Sequence, residues 1–322
     1  MITLYNKYKY PNQWEELTPE QYLMLMNILL EFMRGNISAQ QVRLAFFCSI
    51  AKIDPRTVLK RNREQFNENL FRITRTLNFM FRYQYPDGAL DHISSELRET
   101  LHKTLPNDVL NETPELKYVK KLKRETLPDF VFAKNLLPTI QIGKKKHPGY
   151  IFELHGEIIH TTLTAEQYVD ANMLYGKYID TRDEQYLDLL VAALYRPKGS
   201  DSIEFAKTTK KASYITKQAV FVCFQAIQTF LATKTKYSML WNRKPSSEAE
   251  KFSLGLADSI YSLSSSGYGS LSEVENLTII AFFDLMIKNI IDSVKTLQDI
   301  GLKKSEISEK TGLSIYQINQ II

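Results

Sequence analysis

Apolar residues recur along this chain mostly at three- and four-residue intervals, which predicts a mainly α protein. The clearest start is at Thr18, which suits an N-cap, with Pro19 in the first turn and Gln21 at the reciprocal capping-box position. Leu17 and Tyr22 then occupy the two ends of a hydrophobic staple. A second helix is expected from Ser38, with Val42, Leu44, Phe46 and Phe47 beyond it, and a short one from Asp54-Pro55. Residues 61–82 carry a strong amphipathic pattern: Phe66, Leu70, Ile73, Leu77 and Met80 form a stripe opposite Arg61, Glu68, Arg72 and Arg75. Tyr85-Pro86-Asp87-Gly88 breaks it. Further helices are expected near 164–180, 182–195, 214–233, 246–262 and 270–298, with Gly267 and Gly269 in a flexible joint over 262–270.

Alternation is confined to short stretches. Residues 1–10 read as extended, with Ile2, Leu4 and Tyr8 among polar neighbours. Thr139-Ile140-Gln141-Ile142 and Tyr150-Ile151-Phe152-Glu153-Leu154 flank a basic loop and predict a β-hairpin whose second strand runs on towards Ile159. Residues 104–137 are the least regular part, interrupted by Pro106, Pro114 and Pro128, and read as a linker or exposed arm.

Leu17-Thr18-Pro19-Glu20-Gln21-Tyr22 recurs as Leu163-Thr164-Ala165-Glu166-Gln167-Tyr168. Each copy is followed by a second helix start, at Ser38-Ala39-Gln40-Gln41 and at Thr181-Arg182-Asp183-Glu184, and further on by an apolar helical stretch, 70–81 and 220–231. The expected architecture is two related helical units with a minor β-hairpin between them and a C-terminal helix-turn-helix-like hairpin. The expected division is 1–137, 138–299 and 300–322.

At the C-terminus, Ile307, Leu313, Ile318 and Ile321 would form a core shared by two short helices, with Gly312 at the turn. Ser314 and Gln317 match a capping box, and Ser314, Tyr316, Gln317, Asn319 and Gln320 a polar face of the kind that reads base edges or holds phosphates. No Lys or Arg follows Lys310, so phosphate attraction there is weak. Two basic groups elsewhere could assist nucleic-acid binding: Lys120, Lys121, Lys123 and Arg124, and Lys144, Lys145 and Lys146.

Composition narrows the function classes. The 322 residues are 44 % hydrophobic and 24 % charged, an ordinary globular make-up. Cys48 and Cys223 lie in apolar runs and read as buried free thiols in a reducing compartment. The uncharged run between Lys217 and Lys234 contains three glutamines and reads as a buried helix, not a membrane span. Met1-Ile2-Thr3-Leu4-Tyr5-Asn6-Lys7 lacks the apolar core of a secretory signal. Residues 1–150 hold 23 Lys/Arg against 16 Asp/Glu and residues 151–322 hold 18 against 20, a polarity suited to head-to-tail contact between subunits or to nucleic acid on the basic half.

No Gly-rich phosphate loop is present. His155 and His160, on one expected strand, would point to opposite faces and could not share a metal. Asp180, Asp183, Glu184 and Asp188 sit at a helix start, where capping and dipole roles account for them. Ser213 and Lys217 lack an orienting third group. Neither a catalytic site nor a cofactor is expected.

The opening Trp14-Glu15-Glu16-Leu17-Thr18-Pro19-Glu20-Gln21-Tyr22 and the later Leu194-Tyr195-Arg196-Pro197 resemble helical accessory proteins of tailed phages and prophages in Bacteroidetes-type hosts. The resemblance implies an assembly chaperone or minor virion component, although this chain is longer than typical tail chaperones. It implies protein partners or self-association, and a place in the host cytoplasm or on the virion. Aromatic-rich apolar faces fit the same expectation: a non-enzymatic assembly protein acting through protein contacts, with DNA binding by the C-terminal hairpin as the alternative.

Overall fold

A computed structural model describes residues 2–4, 8–54, 76–106, 109, 113–197, 199–241 and 256–322. The chain divides into two compact units, residues 1–130 and 131–322. Divided there, the charge is 19 Lys/Arg against 16 Asp/Glu in the first unit and 22 against 20 in the second. The polarity seen by cutting at 150 disappears, because Lys134 and Lys144, Lys145 and Lys146 belong to the second unit.

The first unit opens on an antiparallel ribbon, β1 (Ile2–Leu4) and β2 (Tyr8–Tyr10). A single 3-10 turn, Trp14–Glu16, follows and seats the buried Trp14, whose indole Nε1 donates to Asp129 O at 2.8 Å. Thr18 caps α1 (Pro19–Met33): its hydroxyl accepts from Gln21 N at 3.2 Å, and Gln21 Oε1 accepts from Thr18 N at 3.0 Å. Ser38 and Gln41 repeat this box at the start of α2 (Ala39–Ala51). The two helices pack against each other, and Tyr22, Leu25, Met26, Val42, Phe46 and Cys48 are buried on them.

The expected helix over 61–82 needs correction at its C-terminal end; residues 61–75, like the helix expected at Pro55, lie outside the described residues. Leu77 and Met80 are buried as the stripe requires, but Leu77 lies in irregular chain and Met80 in a turn closed by Phe81 N donating to Asn78 O. Phe81–Gln84 is a strand, β3, in which buried Phe81 and Tyr83 alternate with exposed Arg82 and Gln84. The proposed likeness between 70–81 and 220–231 therefore fails over 77–81. Buried Arg43 joins α2 to this region: Nη2 donates to the Tyr83 hydroxyl at 2.9 Å and Nε to Leu77 O at 3.3 Å.

Beyond β3 come α3 (Ser95–Lys103), α4 (Pro114–Val119) and β4 (Glu125–Pro128), which pairs antiparallel with β3. The basic segment is thus not a free arm. Leu116 and Val119, three apart on α4, bury into a core with Tyr83, Tyr85, Leu90, Ile93 and Leu101. The prolines that looked like breaks have defined places, Pro114 in the first turn of α4 and Pro128 at the end of an edge strand.

The second unit begins with two hairpins in succession where one was expected. β5 (Thr139–Ile142) pairs with β6 (Lys145–Pro148), and β7 (Phe152–His155) with β8 (Ile158–Thr161). Each turn has two residues, Gly143-Lys144 and Gly156-Glu157, with the glycine alone at positive φ, 59° and 65°. That matches a type II′ turn, which needs Gly only at its first central position. The basic loop is therefore itself a strand. Residues 131–137 pack here too: Asn135 N donates to Phe152 O, and its side chain to Tyr150 O at 2.6 Å.

Thr164 and Gln167 then form a capping box for α5 (Ala165–Thr181), and Asp183 caps α6 (Glu184–Tyr195). Cap-to-cap spacing is 19 residues here, against 20 from Thr18 to Ser38. α7 (Ser202–Thr209), unforeseen in the sequence, is capped by Asp201, whose Oδ1 accepts from Ile203 N and Glu204 N. α8 (Tyr214–Lys234) is the core helix. Among the described residues it alone is long and apolar enough to cross a membrane, and 61 % of that stretch is buried.

The helix expected over 246–262 is seen as α9 (Leu256–Ser265); its earlier part lies outside the described residues. The joint after it is short and tied, with Ser264 Oγ donating to Gly269 O at 3.0 Å. The helix expected over 270–298 is broken into α10 (Leu271–Glu275) and α11 (Ile279–Asp299). The break has a cause: Ala165 N donates to Leu277 O and Ile279 N to Leu163 O, so the two chain segments clasp antiparallel where α5 and α11 begin. Two short helices end the fold, α12 (Lys304–Thr311) and α13 (Ile315–Ile321), joined through Gly312 at φ 70°. Ile307, Leu313 and Ile318 bury against Ile290 and Val294 of α11.

Candidate functional site

The C-terminal polar face is exposed, but much of it is engaged. Ser314 and Gln317 hold each other in the capping box that starts α13. Asn319 Oδ1 accepts from Lys304 Nζ at 2.6 Å, and Gln320 Nε2 donates to the Tyr316 hydroxyl at 3.0 Å. Tyr316, 71 % exposed, is the most prominent side chain. Within 300–322, Lys303, Lys304 and Lys310 stand against Glu306 and Glu309, so the hairpin offers only a small excess of positive charge.

Lys144, Lys145 and Lys146 are exposed on the turn and on β6. Lys145 and Lys146 pair with Ile142 and Gln141, and successive strand positions face opposite sides, so these two do not form one patch. Lys120 and Lys121 follow α4. Lys123 and Arg124 are different: with Gln84, Tyr85, Pro86, Asp87 and Glu125 they line a cleft of about 500 Å³ at the open end of the β3–β4 ribbon.

A second cleft, of about 590 Å³, lies in the second unit between the β7–β8 hairpin and α8 and α11. Leu154, Ile158, Ile159, Phe230 and Ile280 supply its apolar lining. Lys236 Nζ meets Asp284 Oδ1 at 2.6 Å on its rim, and the Tyr237 hydroxyl donates to the same oxygen at 3.0 Å. Burial and the neighbouring Asp284 carboxylate push the Tyr237 phenol well up. Nothing in the sequence pattern marked this cleft, because its walls come from several separate elements.

The histidine geometry needs correction. His155 lies on β7 and His160 on β8, and the tight Gly156-Glu157 turn folds them onto one face with ring centroids 4.5 Å apart. Glu153 Oε1 sits 2.9 Å from His155 Nε2. Among the described residues, no three His, Cys, Asp or Glu side chains converge as a metal requires.

The acidic cluster separates into different roles. Asp183 Oδ1 accepts from Gln185 N, whereas Asp188 is buried and meets Lys217 Nζ at 2.6 Å, both side chains only 8 % exposed. Lys217 thus has the partner the sequence did not show, and Ser213 is the N-cap of α8. The two patches that carry the phage resemblance lie in different units, 14–22 in the first and 194–197 in the second. Arg196 Nη2 donates to Glu166 Oε1 at 2.6 Å, and Tyr195 OH donates to Leu137 O at 2.6 Å. Tyr195 and Arg196 thus have structural roles there. Compared with protein-family models, with curated proteins and with solved structures, the chain matches none.

Proposed function

We propose that the chain is a non-catalytic assembly protein of a phage or mobile element, and that it holds a partner protein in the apolar cleft of its second unit. One observation carries this: Ile158, 66 % exposed, stands with half-exposed Leu154 beside a preformed aliphatic cleft. Leaving such a patch in water is unfavourable, and covering it with a partner's aliphatic side chains recovers about 25 cal/mol per Å². The occupant is a segment of a second protein that fills the cleft with aliphatic side chains and meets the Lys236–Asp284 rim with polar ones. The paired capping boxes, similar cap spacings and a preceding β-ribbon in both units support descent from one duplicated element.

The test is light scattering of the full chain alone and mixed with each purified product of its neighbouring genes. A complex that forms with one of them, and weakens at least tenfold in Ile158→Asp, is the expected result. A strictly monomeric chain that binds none of them sinks the reading.

A second reading, DNA binding by α12 and α13, draws on their seating against α11 and on exposed Tyr316. It demands salt-dependent binding of duplex DNA that is lost when the chain ends at residue 298. The low net charge of that hairpin favours the assembly reading.

A further inference from the structure

We propose that the cleft at the end of the β3–β4 ribbon binds the phosphoryl group of a phosphate ester through Arg124, Lys123 and the Tyr85 hydroxyl. This is independent of the docking cleft, which lies in the other unit.

Three observations converge. Tyr85 lines the cleft, is only 6 % exposed, and its buried hydroxyl has no hydrogen-bond partner. A buried hydroxyl left unpaired is unfavourable, so such a group calls for an acceptor from outside the chain. Lys123 and Arg124 line the same cleft, and neither has an ion-pair partner among the described residues. Arg124 is half-buried and its charge already acts on the Tyr85 hydroxyl, which burial otherwise pushes up. A guanidinium fork, an ammonium and a phenolic O–H are three donors without an acceptor, and a phosphoryl group offers several acceptor oxygens in a compact shape.

Asp87 and Glu125 also line the cleft, and both are exposed. They can turn outward to water, whereas the ring of Tyr85 is fixed in the core. The wider field is positive, since residues 114–125 carry Lys117, Lys120, Lys121, Lys123 and Arg124 against Glu115 and Glu125.

The experiment titrates the full chain with inorganic phosphate, followed by calorimetry and by phosphorus NMR line width. Saturable binding is expected, weakened about tenfold or more in Arg124→Gln and about tenfold in Tyr85→Phe. Tyr85→Phe keeps the ring and removes only the orphaned hydroxyl, so its melting temperature should stay level or rise, which separates lost binding from lost folding. Absence of saturable binding overturns the proposal, as does binding that survives both substitutions. A duplex-DNA arm at low salt identifies the source: DNA displaced by phosphate from the native chain, and bound less by Arg124→Gln, means a nucleic-acid phosphate. Phosphate binding without DNA binding means a small phosphorylated ligand.

Discussion

Gly149 shows how a single hydrogen can set the packing of the second unit. A Cβ there would lie 2.5 Å from Tyr195 Cε1 and 2.7 Å from Cδ1. Tyr195 cannot retreat, because its ring is buried and its hydroxyl is bonded to Leu137 O. Gly149→Ala should therefore lower stability by about 1–3 kcal/mol, an overpacking cost, read from urea denaturation midpoints. Cys223 gives a second residue-scale expectation. Burial pushes its thiol up from an ordinary 9.0 to about 12. The native protein should thus be inert to a thiol reagent at pH 8, Cys48 included, since burial raises it too; both should react fully once unfolded. The linkage sign follows: in the unfolded chain the Cys223 thiol releases its proton first. Its contribution is complete below about pH 8.5 and is lost as pH rises towards about 12.

Among the helices, the ion pair between Asp188 on α6 and Lys217 on α8 fixes a contact that apolar packing alone would leave free to slide. Removing one partner leaves a buried charge uncompensated, so Lys217→Met should cost about 3–5 kcal/mol. The double variant Asp188→Leu with Lys217→Met should recover most of that loss, and a double-mutant cycle in urea checks it. Helix starts were the most legible elements, because capping is written within four residues: Thr18, Ser38, Thr164 and Ser314 all cap where their spacing predicts. Strands were harder to read. Leu77, Met80 and Phe81 fit a helical stripe while Phe79, Phe81 and Tyr83 fit a two-residue alternation, and only the pairing with β4 decides between them. The sequence pattern reads as a single hairpin because a Gly-Lys or Gly-Glu turn is a weaker signal than Asn-Gly. Reading β7 and β8 as one strand is what puts His155 and His160 on opposite faces. The phosphate cleft was half legible: Lys123 and Arg124 stood out as charge, but the segment 84–87 that completes it lies about 40 residues earlier.

Across the whole molecule, each unit has its own buried core, the first including Tyr22, Phe46 and Leu116, the second Tyr168, Leu190 and Phe224. Two cores of this kind need not melt together. Differential scanning calorimetry should give a calorimetric enthalpy larger than the van't Hoff value, and Gly149→Ala should move only the part of the transition due to the second unit. A single transition with equal enthalpies would show the cores to be energetically coupled.

The clasp between residues 163–165 and 277–279 bears on how the second unit comes into being during synthesis. Its bonds join positions more than a hundred residues apart, so the start of α5 cannot be finished until the ribosome has released the start of α11. Until then Leu163 and Tyr168, fully buried in the finished protein, lack part of their cover, since Phe283, which meets the Tyr168 ring edge-on, has not yet been made. The nascent chain thus passes through an interval in which a sticky, half-built core waits for its last wall, and slow translation across 166–278 would lengthen that exposure.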